Sequence, residues 1–176
     1  MQGSKARSTT ILGLDPGSRL LGYGLIESDR GRWVRVTSGT LRLDPRRSLP
    51  ERLVVAFEEI RKILATHRPE HVAVEECFVA KSARTALVLG QVRGVLLVAA
   101  LLEKAQVHEF APRSVKLATV GQGGAAKDQV QNMIPRLIER CPTKLQADEA
   151  DALAVAWCCA NQLRFAEALA GSRAVS

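Results

Sequence analysis

The stretch TILGLDPGSRLLGY, Thr10 to Tyr23, constrains the fold more than any other, because it carries one carboxylate out of an apolar run and straight into a Pro-Gly turn. Alternation from Thr10 to Asp15 predicts a strand with Asp15 on the face opposite Leu12 and Leu14. Pro16, Gly17 and Ser18 turn the chain, and Leu20 to Ile26 returns as the second arm of a hairpin. Gly22 and Gly24 in that arm permit close backbone approach. An acid at such a junction is either a turn former or a functional group, and the other acids of the chain decide between the two.

Arg32 to Leu43 reads as a third antiparallel strand, with Trp33, Arg35 and Thr37 alternating against Val34, Val36 and Ser38. Ser48 and Glu51 have capping-box spacing, and Leu53, Phe57, Ile60 and Leu64 repeat at helical intervals. His71 to Glu76 is a short strand with Val72 and Val74 on one face and Ala73 and Glu75 on the other. A helix from about Ala83 to Glu103 follows, then a strand from Gln106 to Phe110. Pro112 opens a short helix over Arg113 to Val120. Gly121, Gly123 and Gly124 connect it to a helix from Ala125 to Arg140, which Pro135 should kink or divide. The last helix starts near Asp148 and carries Leu153, Ala154, Trp157 and Cys158 on one stripe. Three meander strands followed by alternating helices and strands predict an α/β domain, a mixed sheet with helices packed on its faces. One domain over residues 9–166 is expected, with a basic arm at 1–8 and a frayed tail at 167–176. Gln91 and Arg93 interrupt the apolar run from Leu87 to Leu102, so no membrane span is expected.

Lys and Arg number 25 against 18 Asp and Glu, a formal charge of +7 that favours a polyanionic partner such as nucleic acid. Cys77, Cys141, Cys158 and Cys159 show no paired spacing and read as free thiols of a cytoplasmic protein. Within this basic chain, Asp15, Glu75, Asp148 and Asp151 sit where neutral residues were the easier choice. Asp15 and Glu75 end strands that should be central, and parallel pairing of those strands would set their carboxylates side by side. Asp148 and Asp151 are three apart on one side of a helix. Taken singly, Asp15 is a turn former, Asp148 an N-cap and Glu75 a solvated strand end. Asp151, on the border of an apolar stripe, has no such bland role. Converging acids repel and raise one another's pKa unless a hard divalent cation joins them. Oxygen-only ligation suits Mg²⁺ or Mn²⁺, and two such ions about 4 Å apart suit in-line hydrolysis of a nucleic-acid backbone.

LGLDPGS at 12 to 18, AVEECF at 73 to 78, AKSARTALVLGQVRG at 80 to 94, APRSVKLATVGQGGAAKDQVQNM at 111 to 133 and QADEADALAVA at 146 to 156 resemble RuvC, the bacterial Holliday junction resolvase family. The resemblance runs from about Ile11 to Cys158. It implies a ribonuclease H-like fold, a mixed five-stranded sheet with helices on both faces, and a homodimer cutting two symmetric strands of a four-way DNA junction. It also implies two Mg²⁺ or Mn²⁺ ions per active site, held by Asp15, Glu75, Asp148 and Asp151. Glu149, between the helix acids, stands where a small neutral residue is expected. The family's base-engaging aromatic falls on Phe78, whose short loop with Lys81 and Arg84 suits stacking and backbone contact. Its functional lysines fall on Lys116 and Lys127, near Arg113, where they would contact phosphate or stabilise transition-state charge. Arg93 and Arg19 are weaker candidates. The branch-migration proteins RuvA and RuvB are implied as partners.

A dimer is also suggested by the helix from Ala83, where Leu87, Gly90, Gly94, Leu97 and Leu101 form an apolar stripe with small residues. Three other readings share parts of this pattern: a nucleotide-dependent phosphotransferase of the actin and sugar-kinase type, a junction-binding module without catalysis, and a ribonuclease H-like nuclease acting on RNA. The first requires a second phosphate loop, which the chain lacks. The second would not need four converging acids. Preference for branched DNA separates the third.

Overall fold

A computed structural model of the chain describes residues 8–76 and 82–173. Strands β1 (Thr10–Asp15), β2 (Leu20–Asp29) and β3 (Arg32–Arg42) form the expected antiparallel meander. Helix α1 (Leu49–His67), β4 (His71–Glu75), α2 (Ala83–Leu102) and β5 (Gln106–Phe110) then alternate, and α3 (Pro112–Val120), α4 (Lys127–Leu137) and α5 (Ala147–Arg173) complete the chain. The sheet order is β3-β2-β1-β4-β5, with β1 central, antiparallel to β2 and parallel to β4. Strand alternation divides the core into two layers. Leu12, Leu14, Leu21, Leu25, Val72 and Val74 face α1 and α2, whereas Ile11, Ile26, Trp33, Ala73 and Phe110 face α3, α4 and α5.

Local chemistry sets several boundaries. The Glu51 carboxylate accepts from the Ser48 backbone N–H at 2.8 Å and from its hydroxyl at 2.6 Å, fixing the start of α1. The Ser82 hydroxyl accepts from the Thr85 N–H at 3.2 Å and starts α2. Cys158 and Cys159 are buried free thiols, and Cys141 is a half-buried one.

Four expectations need correction. In β3 the register shifts between Leu25 and Ile26, which pair with Thr37 and Arg35 and leave Val36 as an extra residue. This bulge reverses the alternation, so Ser38 rather than Thr37 shares a face with Trp33 and Arg35. Pro135 lies inside α4 without dividing it, and the helix ends at Leu137 instead of Arg140. Beyond it Ile138 is extended, and Glu139 exchanges backbone hydrogen bonds with Trp33 and Arg35 at 2.9 Å each, closing part of the open edge of β3. Helix α5 continues to Arg173, so residues 167–173, expected in a frayed tail, are helical. Finally, α2 is by length and composition apolar enough to cross a bilayer, because its two charges, Arg84 and Arg93, do not outweigh its apolar residues. Here α2 packs on α1 and β5, with Arg93 paired to Glu109 and with Val92, Leu96, Ala99 and Ala100 buried.

Candidate active site

Parallel pairing places the first two acids. Leu14 of β1 stands opposite Val74 of β4, so Asp15 and Glu75 are the next residues along adjacent strands and end at the same edge of the sheet. Both project to the α5 side, opposite the leucines that face α1 and α2.

Glycines bring α5 down onto that edge. A Cβ on Gly13 would collide with the Ala152 carbonyl, and one on Gly22 with the Asp148 carbonyl. Gly22 is the cross-strand partner of Asp15. Backbone-to-backbone contact therefore holds the first turns of α5, with Asp148 and Asp151, over the end of β1. The glycines look permissive in the sequence; in the fold they set the height of the helix.

Asp15, Glu75 and Asp151 line a cleft of about 260 Å³ together with Lys116, Lys127, Pro112, Val115 and Val130. Asp148 is not one of its walls, but it lies one turn from Asp151 and its charge acts on Asp15, Asp151 and Lys127. The Lys127 ammonium is 2.5 Å from the Asp151 carboxylate. Burial, reinforced by Glu75 and Asp151, pushes the Asp15 carboxyl up to about 8. Burial and the Asp151 charge raise Glu75 to about 7, against the opposing pull of Lys127 and Lys116. Asp151 is also raised by burial, partly offset by its bond to Lys127. Burial works against the Lys127 charge, yet the carboxylates around it hold its pKa above the ordinary value. Two ammonium groups, those of Lys127 and Lys116, thus oppose the negative charge of four acids. Among the described residues no three His, Cys, Asp or Glu side chains are drawn close enough to hold an ion as they stand. The donor set is nevertheless all oxygen and short of positive charge, which fits a hard divalent cation.

The remaining candidates are more scattered. Arg113 packs over Gly123 beside the cleft without lining it, and Arg84 is exposed at the start of α2. Arg93 is committed to Glu109. Phe78, Lys81 and Cys77 lie outside the described residues. Glu149 turns away from the cleft: its carboxylate accepts from the Ser38 hydroxyl at 2.5 Å and lies 3.8 Å from Arg35, tying α5 to β3. Sequence reading missed this tie because the β3 bulge sets it up. It also missed the apolar walls Val115 and Val130, whose helical spacing marks them only as core.

A family model described as crossover junction endodeoxyribonuclease RuvC matches residues 11–159. The chain is 46% identical over 155 residues to crossover junction endodeoxyribonuclease RuvC of Heliobacterium modesticaldum, covering 88% of this chain and 96% of that protein. It is 45% identical over 163 residues to the Geobacter sp. protein of the same description, covering 93% and 99%. Among solved structures, Thermus thermophilus RuvC in complex with a Holliday junction substrate superposes with a TM-score of 0.83 at 30% identity, covering 90% of this chain and 96% of that one. A yeast mitochondrial Holliday junction resolvase shares the fold at a TM-score of 0.63 and 13% identity. The mixed five-stranded sheet with helices on both faces is accordingly ribonuclease H-like, and this chain belongs to the RuvC family of crossover junction endodeoxyribonucleases.

Proposed function

We propose that this chain is a Holliday junction resolvase that nicks two symmetric strands of a four-way DNA junction in recombination and repair. The observation that carries the reading is the cleft in which Asp15, Glu75 and Asp151 meet Lys116 and Lys127, an acidic centre in a protein of net charge +7. A surface that attracts a polyanion and a centre that repels it are reconciled when cations mediate between them.

Asp15, Glu75, Asp148 and Asp151 are the residues to hold divalent ions, two per site and Mg²⁺ or Mn²⁺ by their oxygen chemistry. Such ions, when bound, supply Lewis-acid stabilisation of the attacking and leaving oxygens of a phosphodiester. Lys127 offsets Asp151 and is placed to neutralise phosphate charge, and Lys116 adds a second ammonium on the α3 wall. Val115 and Val130 back the cleft with apolar surface, which lowers the local dielectric and strengthens each of these interactions. Phe78, by family resemblance, Lys81, by its nearness to Phe78 in sequence, and Arg84 and Arg113, by exposure, are proposed to engage the junction.

Two symmetric nicks call for a homodimer. An apolar groove of about 480 Å³ between α1 and α2, lined by Val54, Phe57, Gly94, Val95 and Val98 among others, lies open. Leu87 and Leu101 are 68% and 62% exposed, and among the described residues nothing beyond the helix's own adjacent atoms lies within 4 Å of where a Cβ on Gly90 or Gly94 would point. Leu97 differs from the other stripe residues because it packs partly on its own core. A second copy crossing at Gly94 would cover this face. RuvA and RuvB, as the family implies, are proposed partners on DNA in the bacterial cytoplasm.

Asp151→Asn tests the site. It should abolish junction cleavage, by about 1,000-fold or more, while junction binding at moderate salt stays within a few-fold. Loss of binding together with cleavage would remove Asp151 from the catalytic set.

A further inference from the structure

The β3 bulge has a directional effect at the active-site end of the sheet. Leu20 pairs with Arg42, Gly22 with Thr40 and Gly24 with Ser38, and paired residues share a face. Gly22 faces α5, so Ser38, Thr40 and Arg42 face α5 too; Thr40 donates to Gln146 at 2.8 Å and Ser38 to Glu149. Leu41 and Leu43 turn to the other layer. Had the alternation of Trp33 and Arg35 continued unbroken, Arg42 would point toward α1 and α2 instead. The extra residue, Val36, aims Arg42 to the face that carries Asp15.

Arg42 has basic company. Arg19 follows the β1 turn and its carbonyl accepts from the Leu43 N–H at 2.8 Å, which joins the two loops. Arg46 and Arg47 follow on the second loop, and all four arginines are exposed. Asp44 bonds Arg46 through its carboxylate at 2.8 Å. Among the described residues, Arg19, Arg42 and Arg47 have no carboxylate within 4.0 Å. Arg42 lies two strands across and two residues beyond Asp15 in register, roughly 12 Å away at ordinary strand spacing and rise. About three to four nucleotides of one strand cover that span.

We propose that Arg19, Arg42 and Arg47 form a second phosphate-binding wall on the β2 and β3 side of Asp15, which holds a duplex arm of the junction opposite the lysines of α3 and α4. The inference rests on the resolvase reading and extends it, since it makes the acid cleft the floor of a channel with two basic sides. The place of Arg42 on the Asp15 face, roughly 12 Å from that acid at ordinary strand spacing and rise, favours DNA over an acidic protein as the occupant. Guanidinium groups suit this role because their planar donors take phosphate oxygens in pairs.

The test compares the full-length protein with its Arg19→Gln, Arg42→Gln, Arg47→Gln triple variant and with Lys62→Gln, a charge removed on the far surface of α1. Binding of a fluorescent four-way junction is titrated in EDTA over a salt series, and cleavage is followed in Mg²⁺. The triple variant should bind at least about tenfold more weakly near 0.1 M salt, with the slope of log affinity against log salt shallower by about 2 to 3; Lys62→Gln should stay within about twofold. Unchanged affinity and slope in the triple variant, with wild type binding and cutting normally, would overturn the wall and leave the patch to a protein partner. A loss of log affinity in Lys62→Gln equal to one third of that in the triple variant, the same per charge, would also overturn it, showing diffuse charge rather than a site. Failure of the wild type to bind or cut junctions would overturn the resolvase reading, and the wall with it.

Discussion

Asp15 bears the strongest electrostatic conflict of the described residues, and the conflict has a sign. Its folded-state pKa of about 8 lies above the ordinary 3.8, so between those values the folded protein keeps a proton that the unfolded chain has released. Stability therefore falls as pH rises through that interval. Asp15→Asn removes the Asp15 share of this slope and leaves that of Glu75: in EDTA at pH 8 the variant should be more stable than wild type by about 2 kcal/mol, the gap closing toward pH 4. Millimolar Mg²⁺ should raise the melting temperature of wild type and not that of the variant. Denaturant titrations at the two pH values check this, and a variant no more stable at pH 8 would show that the carboxylate is not in conflict. The acids were legible at this scale because each interrupts an apolar pattern, and Lys116 and Lys127 through their motifs. The Lys127 bond to Asp151 was not legible, since residues on two helices declare no distance in sequence. Glu149 was ambiguous for the same reason, until its bond to Ser38 gave it a partner.

At the scale of elements, the site depends on how closely α5 lies on the hairpin. Gly22→Ala sets a methyl group against the Asp148 carbonyl, an immovable backbone atom, and should lower stability by about 1–3 kcal/mol. The displaced helix should also lose about 100-fold in cleavage rate. Gly94→Ala, with open space around it, should leave the melting temperature of the isolated protomer within about 2 °C. Thermal unfolding and single-turnover cleavage test the pair, and a harmless Gly22→Ala would detach the glycine contact from the site. Strand and helix identities were readable because periods of 2 and 3.6 are local. The bulge was not, because Val36 is as good a strand residue as its neighbours and only the β2 register reveals it as extra. The end of α4 was also hidden, because Glu139 leaves helical geometry to satisfy an edge strand a hundred residues earlier.

For the whole molecule, the proposed pair of symmetric nicks calls for two protomers, which would present two clefts to one junction. The stripe Leu87, Gly90, Gly94, Leu97, Leu101 was legible as apolar, but which of its members face outward depends on packing against α1. Val98, more than half exposed, is therefore a better reporter than Leu97. Val98→Glu should yield monomers in sedimentation with an unchanged far-UV spectrum, and a persistent dimer would move the interface off α2. Charge acts at this scale too. Junction affinity should fall steeply with salt, and a flat response would contradict the role given to the basic surface. The most direct measurement is cleavage of a labelled four-way junction beside linear duplex DNA and an RNA–DNA hybrid, each in Mg²⁺, Mn²⁺ or EDTA. Paired, symmetric nicks confined to the junction and abolished by EDTA are predicted. Cutting of the hybrid alone, or tight junction binding with no nick in either metal, would contradict the account.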